Sequence, residues 1–412
     1  MPHPQPSLPA PAHPDVDSML SRKFGREVAN YFSGSPLNRL GFLRSEHSFL
    51  SQALNHPTTS FLLCNELQPL VQSKEAKRIQ WLKFDDIKDI VGDDPFAKDE
   101  ETVLKEFDSE KTSAQLVFLG VEENAKGGLE YQGKNLYKGA PFFAVDVTPR
   151  GEGKVKDACT ALIKKLEEQG TGFGKGRIME LEAGDAAIYA EARQMLDWNA
   201  RNPFCAQCGQ PTLSVNGGFK RACPPQDVAT PASGARKPCA TRKGVSNLSF
   251  PRTDPTVIMA IVNHAGTHLL LGRSKRFPPA WYSTLAGFAE PAESIEEAVR
   301  REVYEEAGVL VGRVVIHSTQ PWPYPANLMI GAIGQSVPDG ETIDLGNDPE
   351  LEDARWCPFD EVREALKIGV SGLGDPAPPE YKGGLRLPPE TAIANQLMAS
   401  VVNGFVGVEA KM

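Results

Sequence analysis

The sequence of 412 residues is two to three times the length of a typical domain of about 100–200 residues, so we expect more than one hydrophobic core. It is 41% hydrophobic and 24% charged, and no apolar run approaches the roughly 18 residues of a membrane span. A net charge of −9 argues against broad binding of nucleic acid, although a local basic pocket remains compatible with it. Seven cysteines, an odd number, favour a reducing compartment over a secreted disulfide framework.

The start of the sequence has no hydrophobic period. Six prolines fall within residues 1–14, a pattern that suits neither a helix nor the apolar stretch of a secretory signal. We therefore predict a disordered tail over residues 1–37. A ligand for a proline-recognising domain is the alternative interpretation of this segment.

Residues 38–184 are predicted to form a β-rich domain. Short apolar runs at Phe61–Leu63, Gln115–Val121 and Phe142–Val147 are typical of strands. Residues 85–111 and 122–139 carry many charges and glycines without an apolar period, so we expect mobile surface loops there.

Residues 185–250 are predicted to form a linker helix followed by a metal-binding ribbon. Apolar residues recur at helical spacing between Asp185 and Asn199, and the cysteines follow directly. Four thiolates can close a tetrahedral zinc shell, which would stabilise a segment too poor in apolar residues to form a core. A redox CxxC pair and unrelated buried thiols are the alternatives. The predicted zinc ligands are Cys205, Cys208, Cys223 and Cys239.

Residues 251–405 begin with a predicted hairpin, Thr256–Val262 and His268–Gly272, and a third strand near residues 282–286. A helix of about 13 residues follows: Ser294 and Glu297 form a capping box and Gly308 is a C-terminal stop. Its predicted buried stripe consists of Ile295, Val299, Val303 and Ala307.

Three carboxylates, those of Glu302, Glu305 and Glu306, crowd one side of this helix beside the buried stripe. Half-buried like charges repel unless a hard cation neutralises them, so the pattern indicates a Mg²⁺ or Mn²⁺ site. A solvated acidic helix face is the alternative.

Residues 287–309 match the pattern G-x5-E-x7-R-E-U-x-E-E-x-G-U, with U a bulky aliphatic residue, and this resembles the signature of Nudix hydrolases. The matching positions are Gly287, Glu293, Arg301, Glu302, Val303, Glu305, Glu306, Gly308 and Val309. The resemblance implies an α/β fold, the Nudix α/β/α sandwich with a mixed sheet, here preceded by the zinc ribbon and the β-rich domain. It also implies that Glu302, Glu305 and Glu306 hold two to three Mg²⁺ or Mn²⁺ ions, with Glu293 and Arg301 orienting them.

The segment Gln320–Met329, QPWPYPANLM, is a stiff extended stretch with two aromatic faces that suit a flat heterocycle, although packing at a domain junction is the alternative. It is similar to the SQPWPFPxS element of the NADH pyrophosphatase subfamily. The resemblance extends to a loop over residues 387–393 that closes on the nucleotide. The implied substrate-binding residues are Phe250, Ala286, Phe288, Gln320, Pro321, Trp322, Pro323, Tyr324, Pro325, Ala326, Asn327 and Ile393.

Besides mild changes at Thr319, Tyr324 and Asn327 in the TQPWPYPAN element, the sequence departs from this subfamily in two places. Phe250 stands where an aromatic residue with a hydroxyl is usual, and 15 residues rather than two separate Cys223 from Cys239. The entropic cost of closing a loop grows only logarithmically with its length, so we expect the insertion to add a cost of roughly 1–2 kcal/mol and the zinc shell still to close. The resemblance also implies a further metal ligand at Glu350, with Glu352 as the alternative if the register slips by two residues.

The resemblance implies hydrolysis of the pyrophosphate bond of NADH, and more weakly NAD⁺, to AMP and a nicotinamide mononucleotide. Removal of NAD caps from RNA is an alternative with the same chemistry. It is supported by a basic patch on the ribbon that consists of Arg221, Arg236, Lys237, Arg242 and Lys243. A non-catalytic adaptor is a third possibility, but it predicts a degraded signature. The resemblance further implies one zinc per chain, a homodimer and, from Ala410–Lys411–Met412 within a tail over residues 406–412, a peroxisomal import receptor as partner, with some protein in the cytoplasm.

Overall fold

The structure, a computed structural model, describes residues 6–10, 28–72, 78–111, 113–230, 235–243, 248–289, 294–347 and 350–404. The chain separates into two compact units. The N-terminal unit comprises Ser35–Arg252 with Pro323–Pro325, and the C-terminal unit comprises Met1–Gly34, Thr253–Trp322 and Ala326–Met412. Within the described ranges, none of the helices combines the length and the apolar character needed to cross a bilayer.

The N-terminal unit is built on a mixed sheet of order β3-β5-β1-β2-β6, with β4 paired to β5. Its strands are β1 (Ser60–Asn65), β2 (Gln68–Val71), β3 (Leu116–Glu122), β4 (Leu129–Gln132), β5 (Leu136–Asp146) and β6 (Gly172–Phe173), and a separate hairpin is formed by β7 (Leu213–Val215) and β8 (Lys220–Ala222). Its helices are α1 (His47–Asn55), α2 (Phe84–Val91), α3 (Glu100–Lys105), α4 (Lys154–Glu168) and α5 (Ala183–Arg201).

The core of this unit lies between the sheet and helices α1, α2 and α4. Phe61, Phe118 and Phe143 are fully buried at its centre, and the rings of Phe61 and Phe143 stack with centroids 5.6 Å apart. The three strands predicted from apolar runs lie within β1, β3 and β5, and the predicted helix is α5. The unit is therefore more helical than the β-rich domain predicted from the sequence.

Two segments predicted to be mobile loops are ordered instead. Residues 85–111 contain α2 and α3, because Ile87 and Ile90, three residues apart, bury one face of α2 against the core. The apolar residues of α2, Phe84, Ile87, Ile90 and Val91, do recur at helical spacing, but the four charged residues among them obscure this period in the sequence. Residues 122–139 contain β4 and the start of β5, which pair antiparallel from Leu129 to Gly139.

Part of the predicted disordered tail is also ordered. Residues 1–5 and 11–27 lie outside the described residues, but Tyr31 and Phe32 are buried within the C-terminal unit. The Asn30 amide donates to Ser318 Oγ at 3.0 Å and to the Thr319 carbonyl at 2.9 Å. Burial of these two adjacent aromatic side chains accounts for the order of this part of the segment.

The C-terminal unit is an α/β/α sandwich around a mixed sheet of order β12-β13-β9-β10-β14, with β11 paired to β9. Only β9 and β13 run parallel among its described strand pairs. The elements are β9 (Asp254–Val262), β10 (His268–Ser274), β11 (Leu285–Phe288), α6 (Ile295–Ala307), β12 (Val311–Trp322), β13 (Asn327–Ser336), β14 (Leu351–Pro358), α7 (Phe359–Ile368) and α8 (Ile393–Val402).

Alternation along β9 explains the two helical layers. Val257, Met259 and Ile261 point to the cluster that α6 completes, whereas Ile258, Ala260 and Val262 point to the cluster shared with α7 and α8. Both faces of a central strand are thus apolar, as expected for a sheet covered on both sides. This confirms the α/β/α sandwich predicted from the resemblance and places α6 directly after the edge strand β11.

Candidate active site and metal sites

Helix α6 begins and ends where the sequence predicts. Ser294 Oγ accepts from the Glu297 main chain at 3.3 Å while the Glu297 carboxylate accepts from the Ser294 main chain at 2.7 Å. Gly308 adopts φ 70° in the left-handed region, which a residue with a Cβ adopts at a cost, and donates to the Tyr304 carbonyl. Val299, Val303 and the last residue of the predicted stripe are fully buried, so the helix is fixed along its length.

The carboxylates of α6 lie beside one arginine. Arg301 Nη1 is 2.9 Å from Glu302 Oε1 and 3.1 Å from Glu305 Oε2, and its Nη2 donates to the Phe288 carbonyl at 2.8 Å. The fork-shaped guanidinium therefore ties two carboxylates of the helix to the end of β11. Glu306, the next residue after Glu305, is only 6% exposed.

Gly287 on β11 makes room for Glu302. A Cβ at residue 287 would lie 2.0 Å from the Glu302 carboxyl carbon, far inside contact distance. The glycine is therefore required by the close approach of the carboxylate and not by its own backbone angles. This observation gives a physical reason for glycine at the first position of the predicted signature.

These carboxylates suit a hard divalent cation by chemistry, although they do not converge on one point. Within the described residues, the four cysteines are the only group of three or more potential ligands whose ligating atoms all lie within 4.8 Å of one another. Glu302 and Glu305 instead face Arg301, whose single positive charge offsets only one of their two negative charges. Oxygen ligands on one helix face are the donor set that Mg²⁺ and Mn²⁺ prefer, so the residues fit such an ion.

Three other residues were predicted at the metal site. Glu293 lies outside the described residues, and Glu350 is exposed at the start of the segment that leads into β14. Glu352 pairs with Arg273 at 3.0 Å, so its carboxylate already has a cationic partner. Glu302 and Glu305 pair with an arginine in the same way, so Glu350 stays the predicted further ligand with Glu352 as the alternative.

Gln320, predicted to contact substrate, holds main-chain segments together. Its side chain is 1% exposed, and its amide nitrogen donates to the carbonyls of Tyr31 and Thr391 at 3.0 and 2.8 Å. Its amide oxygen accepts from the Ile393 main chain at 2.9 Å. Gln320 thereby fixes the end of the 387–393 loop, and with it the buried Ile393, against β12.

Tyr324 also has protein partners on both its ring and its hydroxyl. The Arg193 guanidinium lies 4.8 Å from its ring centroid, and the phenol accepts from the Ile178 main chain at 2.8 Å. Burial raises the pKa of Tyr324, so the hydroxyl stays protonated. One face of the Tyr324 ring, predicted to suit a flat heterocycle, thus lies against Arg193, which also donates to the Pro323 carbonyl at 2.7 Å.

The other predicted substrate-binding residues differ in exposure. Phe288 is 58% exposed and Pro325 is exposed, whereas Pro323 and Asn327 are buried; the Asn327 amide donates to Thr256 Oγ1 at 2.8 Å. Those of intermediate exposure are Phe250, Ala286, Pro321, Trp322 and Ala326. Phe250 belongs to the N-terminal unit, as do the three residues of Pro323–Pro325.

The four predicted zinc ligands come together despite the long insertion. The Sγ atoms of Cys205 and Cys239 are 3.7 Å apart, and those of Cys208 and Cys223 are 3.5 Å apart. All four sulfurs lie within 4.8 Å of one another, and no pair is joined in a disulfide. This spacing is that of a tetrahedral Cys₄ site, and it argues against the redox pair as well as against unrelated thiols.

The basic patch predicted on the ribbon is mostly turned inward. Arg221 donates to the Thr212 side chain and carbonyl at 2.9 and 2.8 Å, and burial lowers its pKa to about 10. Arg236 pairs with Asp227, and Arg242 donates to main-chain carbonyls. Of the five cations of the patch, only the two lysines are exposed: Lys237 and Lys243.

Sequence reasoning missed the structural roles of four residues that organise these sites: it did not single out Arg193 or Asp227, and it assigned the two ribbon arginines to a basic patch. Arg193 holds the Pro323–Pro325 loop, Asp227 and Arg236 form a buried pair within the ribbon insertion (residues 224–238), and Arg242 contacts the cysteine group. Each acts through partners that are far away in sequence or inside an irregular loop. No periodicity or spacing signal marks such residues in a single sequence.

Comparisons with known proteins agree with this architecture. A NUDIX domain model matches residues 252–373, an NADH pyrophosphatase-like rudimentary NUDIX domain model matches residues 58–198, and an NADH pyrophosphatase zinc ribbon domain model matches residues 200–227. The ribbon match contains Cys205, Cys208 and Cys223, while Cys239 lies beyond it.

Curated relatives match over most of the chain. An NAD-capped RNA hydrolase of Schizosaccharomyces pombe is 34% identical over 401 residues, which cover 95% of this chain and 99% of that protein. The human NAD-capped RNA hydrolase NUDT12 is 34% identical over 389 residues, 90% of this chain and 73% of that protein. The human mitochondrial NAD(P)H pyrophosphatase NUDT13 is 34% identical over 223 residues, 54% of this chain and 56% of that protein. With its signature helix on the sandwich sheet and a Cys₄ ribbon before it, the chain belongs to the Nudix hydrolase family, in the NADH pyrophosphatase subfamily.

Proposed function

We propose that the chain hydrolyses the pyrophosphate bond of NADH, and more weakly that of NAD⁺, to AMP and reduced or oxidised nicotinamide mononucleotide. The observation that carries this proposal is the arrangement of Arg301, which ties Glu302 and Glu305 of α6 to the carbonyl of Phe288 on β11. A pyrophosphatase must hold several carboxylates close together in a fixed geometry, and this arrangement does so.

Glu302, Glu305 and Glu306 are the residues that we propose hold two to three Mg²⁺ or Mn²⁺ ions, with Glu350 as a further ligand and Glu293 as an orienting residue. Such ions, when bound, neutralise phosphate oxygens and generate a nucleophilic water. Arg301 limits the motion of two of these side chains, and Gly287 leaves the space that Glu302 fills. One of the three α6 carboxylates takes the proton of the attacking water.

The substrate-binding role of the predicted residues stays a proposal. Their contacts and exposure suggest that some contact the substrate directly and others act through the protein main chain. Phe288, whose ring is exposed one residue after Gly287, is suited to stack on a flat heterocycle. Gln320 and Ile393 support binding indirectly, because they fix the 387–393 loop by hydrogen bonds to the main chain. Tyr324, covered by Arg193, shapes its own loop.

A substrate panel tests this proposal. Purified full-length protein with Mg²⁺ or Mn²⁺ is incubated with NADH, NAD⁺, ADP-ribose and a diadenosine polyphosphate, and the products are identified by mass spectrometry. We expect AMP and reduced nicotinamide mononucleotide from NADH, at a higher kcat/KM than from the other three substrates. Preferred cleavage of ADP-ribose or the diadenosine compound would contradict the proposed substrate.

Removal of NAD caps from RNA is the second candidate, because the Schizosaccharomyces pombe and human relatives that match over most of this chain carry the name NAD-capped RNA hydrolase. The bond cleaved would be the same. The ribbon offers only Lys237 and Lys243 as exposed cations from its predicted patch, so we expect a weak contribution of the RNA chain to binding. A salt titration of the turnover of NAD-capped RNA and of free NADH separates the two candidate functions. A steep salt dependence seen with the capped RNA and not with NADH would favour NAD-capped RNA as the substrate.

We also propose that the Cys₄ group binds one structural zinc ion per chain. The support is that four sulfur atoms come together although the first and last cysteines, Cys205 and Cys239, are 34 positions apart in sequence. The segment that carries them has few other apolar contacts. Elemental analysis of protein purified without chelator tests this, with about one zinc per chain expected.

Two further predictions stay as proposals. A homodimer is expected from the subfamily resemblance, and light scattering after size-exclusion chromatography measures the mass against the 44.8 kDa chain. Ala410–Lys411–Met412, which lies outside the described residues, matches a peroxisomal address by residue type. The last ten residues fused to a fluorescent reporter should direct it to peroxisomes, and a cytosolic signal unchanged by deleting Met412 would reject the address.

A further inference from the structure

Two residues that follow the fourth cysteine lie against the sulfur atoms. Thr241 Oγ1 is 3.1 Å from Cys239 Sγ and 3.4 Å from Cys205 Sγ. Arg242 Nη2 is 3.5 Å from Cys223 Sγ. Both side chains carry donors, so three of the four thiol groups have a donor from the short helical turn Ala240–Arg242 at hydrogen-bonding distance.

Arg242 also joins the two ends of the ribbon insertion. Its Nε donates to the Cys223 carbonyl at 3.0 Å and its Nη2 to the Pro224 carbonyl at 2.9 Å, at the start of the insertion. Its Nη1 donates to the Lys237 carbonyl at 2.9 Å, near the end. A planar guanidinium reaches all three carbonyls at once, which the single ammonium group of a lysine is not shaped to do.

This geometry addresses a difficulty created by the insertion. Two cysteines separated by two residues are held at ligand spacing by a tight turn, whereas 15 intervening residues leave Cys223 and Cys239 to be brought together by other contacts. A shell of four thiolates around Zn²⁺ carries a net charge of −2, so a cation at one sulfur also offsets charge.

We propose that Arg242 is a positioning residue of the zinc site, which closes the insertion through three carbonyls and donates to the Cys223 sulfur. Arg242 thereby holds Cys223 and Cys239 at ligand spacing, as a two-residue spacing does in a CxxC pair, and it slows the loss of zinc. This inference rests on the proposed zinc site. The zinc-site proposal and the Arg242 proposal can be distinguished. If wild-type protein contains no zinc, the zinc site itself is refuted. If zinc is held equally well without Arg242, only the role of Arg242 is refuted.

Zinc release from the full-length protein tests the proposal. Release is followed by a chromogenic chelator in Arg242→Gln, Arg242→Lys and the control Lys243→Gln, which removes the same charge from the next residue. We expect release about tenfold faster or more in Arg242→Gln, an intermediate rate in Arg242→Lys and a rate within about twofold of wild type in the control. Equal rates in wild type and Arg242→Gln, or equal acceleration in the control, would overturn the proposal.

Cobalt replacement gives a readout that loop closure alone would not move. In Co²⁺-substituted protein the sulfur-to-metal charge-transfer band reports the electron density on the thiolates. Removing a positively charged donor from Cys223 Sγ should shift this band to longer wavelength in Arg242→Gln, with a smaller shift in Arg242→Lys and none in Lys243→Gln. A band unchanged in Arg242→Gln would show that the guanidinium does not act on the sulfur, and it would overturn that part of the proposal. If Arg242→Gln does not fold, the same comparison is decided by Arg242→Lys, which must then release zinc faster than wild type.

Discussion

Replacing Asp227 by asparagine removes one charge from a buried ion pair in the ribbon insertion. Arg236 Nη2 is 2.5 Å from Asp227 Oδ2, and the two side chains are only 5% and 4% exposed. Asp227 Oδ1 also accepts from the Ser109 main chain at 3.0 Å, just beyond α3, and Val228 donates to the Phe107 carbonyl. The pair therefore joins the insertion to residues 107–109.

The expected loss in the free energy of unfolding follows from the contacts that Arg236 would retain. Without Asp227, the Arg236 guanidinium keeps the Pro211 carbonyl at 2.7 Å and the Phe107 ring at 5.1 Å but has no counter-charge. Breaking a buried pair from one side costs about 3–5 kcal/mol, and we expect the lower end because asparagine still accepts from Ser109. In the double variant with Arg236→Met, the loss should fall short of the sum of the two single losses by about 1–3 kcal/mol.

Urea unfolding of the full chain, followed by tryptophan fluorescence, measures these losses. The control is Glu130→Gln, which breaks an exposed pair with Lys138 in the same unit and should cost less than about 1 kcal/mol. An Asp227→Asn loss no larger than the control, or losses that simply add in the double variant, would refute the reasoning.

The pair also has a pH signature. Burial acts to raise the pKa of Asp227, but hydrogen bonds from Ser109 and Arg236 outweigh it and hold the pKa below its usual 3.8. The native state therefore binds this proton less tightly than the unfolded state does. Its contribution is complete above pH 3.8 and is lost as the pH falls through the lower native value.

Three further predictions follow from the same structure. Glu191 is buried, and desolvation raises its pKa from 4.5 to about 7 against the opposing effect of the positive charges of Arg39 and Arg44. Between these two pH values the native state holds a proton that the unfolded state has lost, so the free energy of unfolding should fall as the pH rises from about 4.5 to 7. In urea unfolding, Glu191→Gln should flatten that pH dependence. Gly287→Ala should lower turnover about tenfold or more by displacing the Glu302 carboxylate, yet leave the melting temperature within a few degrees, because the displaced atoms end a flexible side chain; unchanged turnover would refute the close approach. Cys205→Ser should remove zinc and make the ribbon sensitive to protease, whereas Cys159→Ser, at a buried cysteine outside the group, should keep its zinc in elemental analysis.

The helix of the active site was predictable because each local signal agreed. A capping box, an apolar stripe at helical spacing and a C-terminal glycine together delimit residues 295–307, and the structure has the same bounds. The four cysteines were predictable as ligands because residue type alone nearly determines their chemistry. Neither signal depends on knowing which distant segments meet.

Other features depend on tertiary contacts and were missed for that reason. Tyr31 and Phe32 looked like part of a proline-rich tail, and only their burial in the C-terminal unit shows that they are ordered. The arginines of the ribbon looked like a patch for RNA, because a sequence shows charge but not direction. Gln320 resembled a substrate contact, and its three main-chain partners lie about 70 or more residues away.

We propose that the carboxylates of α6 carry out metal-dependent hydrolysis of NADH. The most direct test is kcat/KM for NADH in Glu306→Gln at saturating Mg²⁺, with folding checked by circular dichroism and with Glu296→Gln, at the opposite end of the helix, as the control. Glutamine keeps the size of the buried side chain but not its charge, so we expect at least about a thousandfold loss in Glu306→Gln and a rate near wild type in the control. Activity of Glu306→Gln within about threefold of wild type would contradict the account.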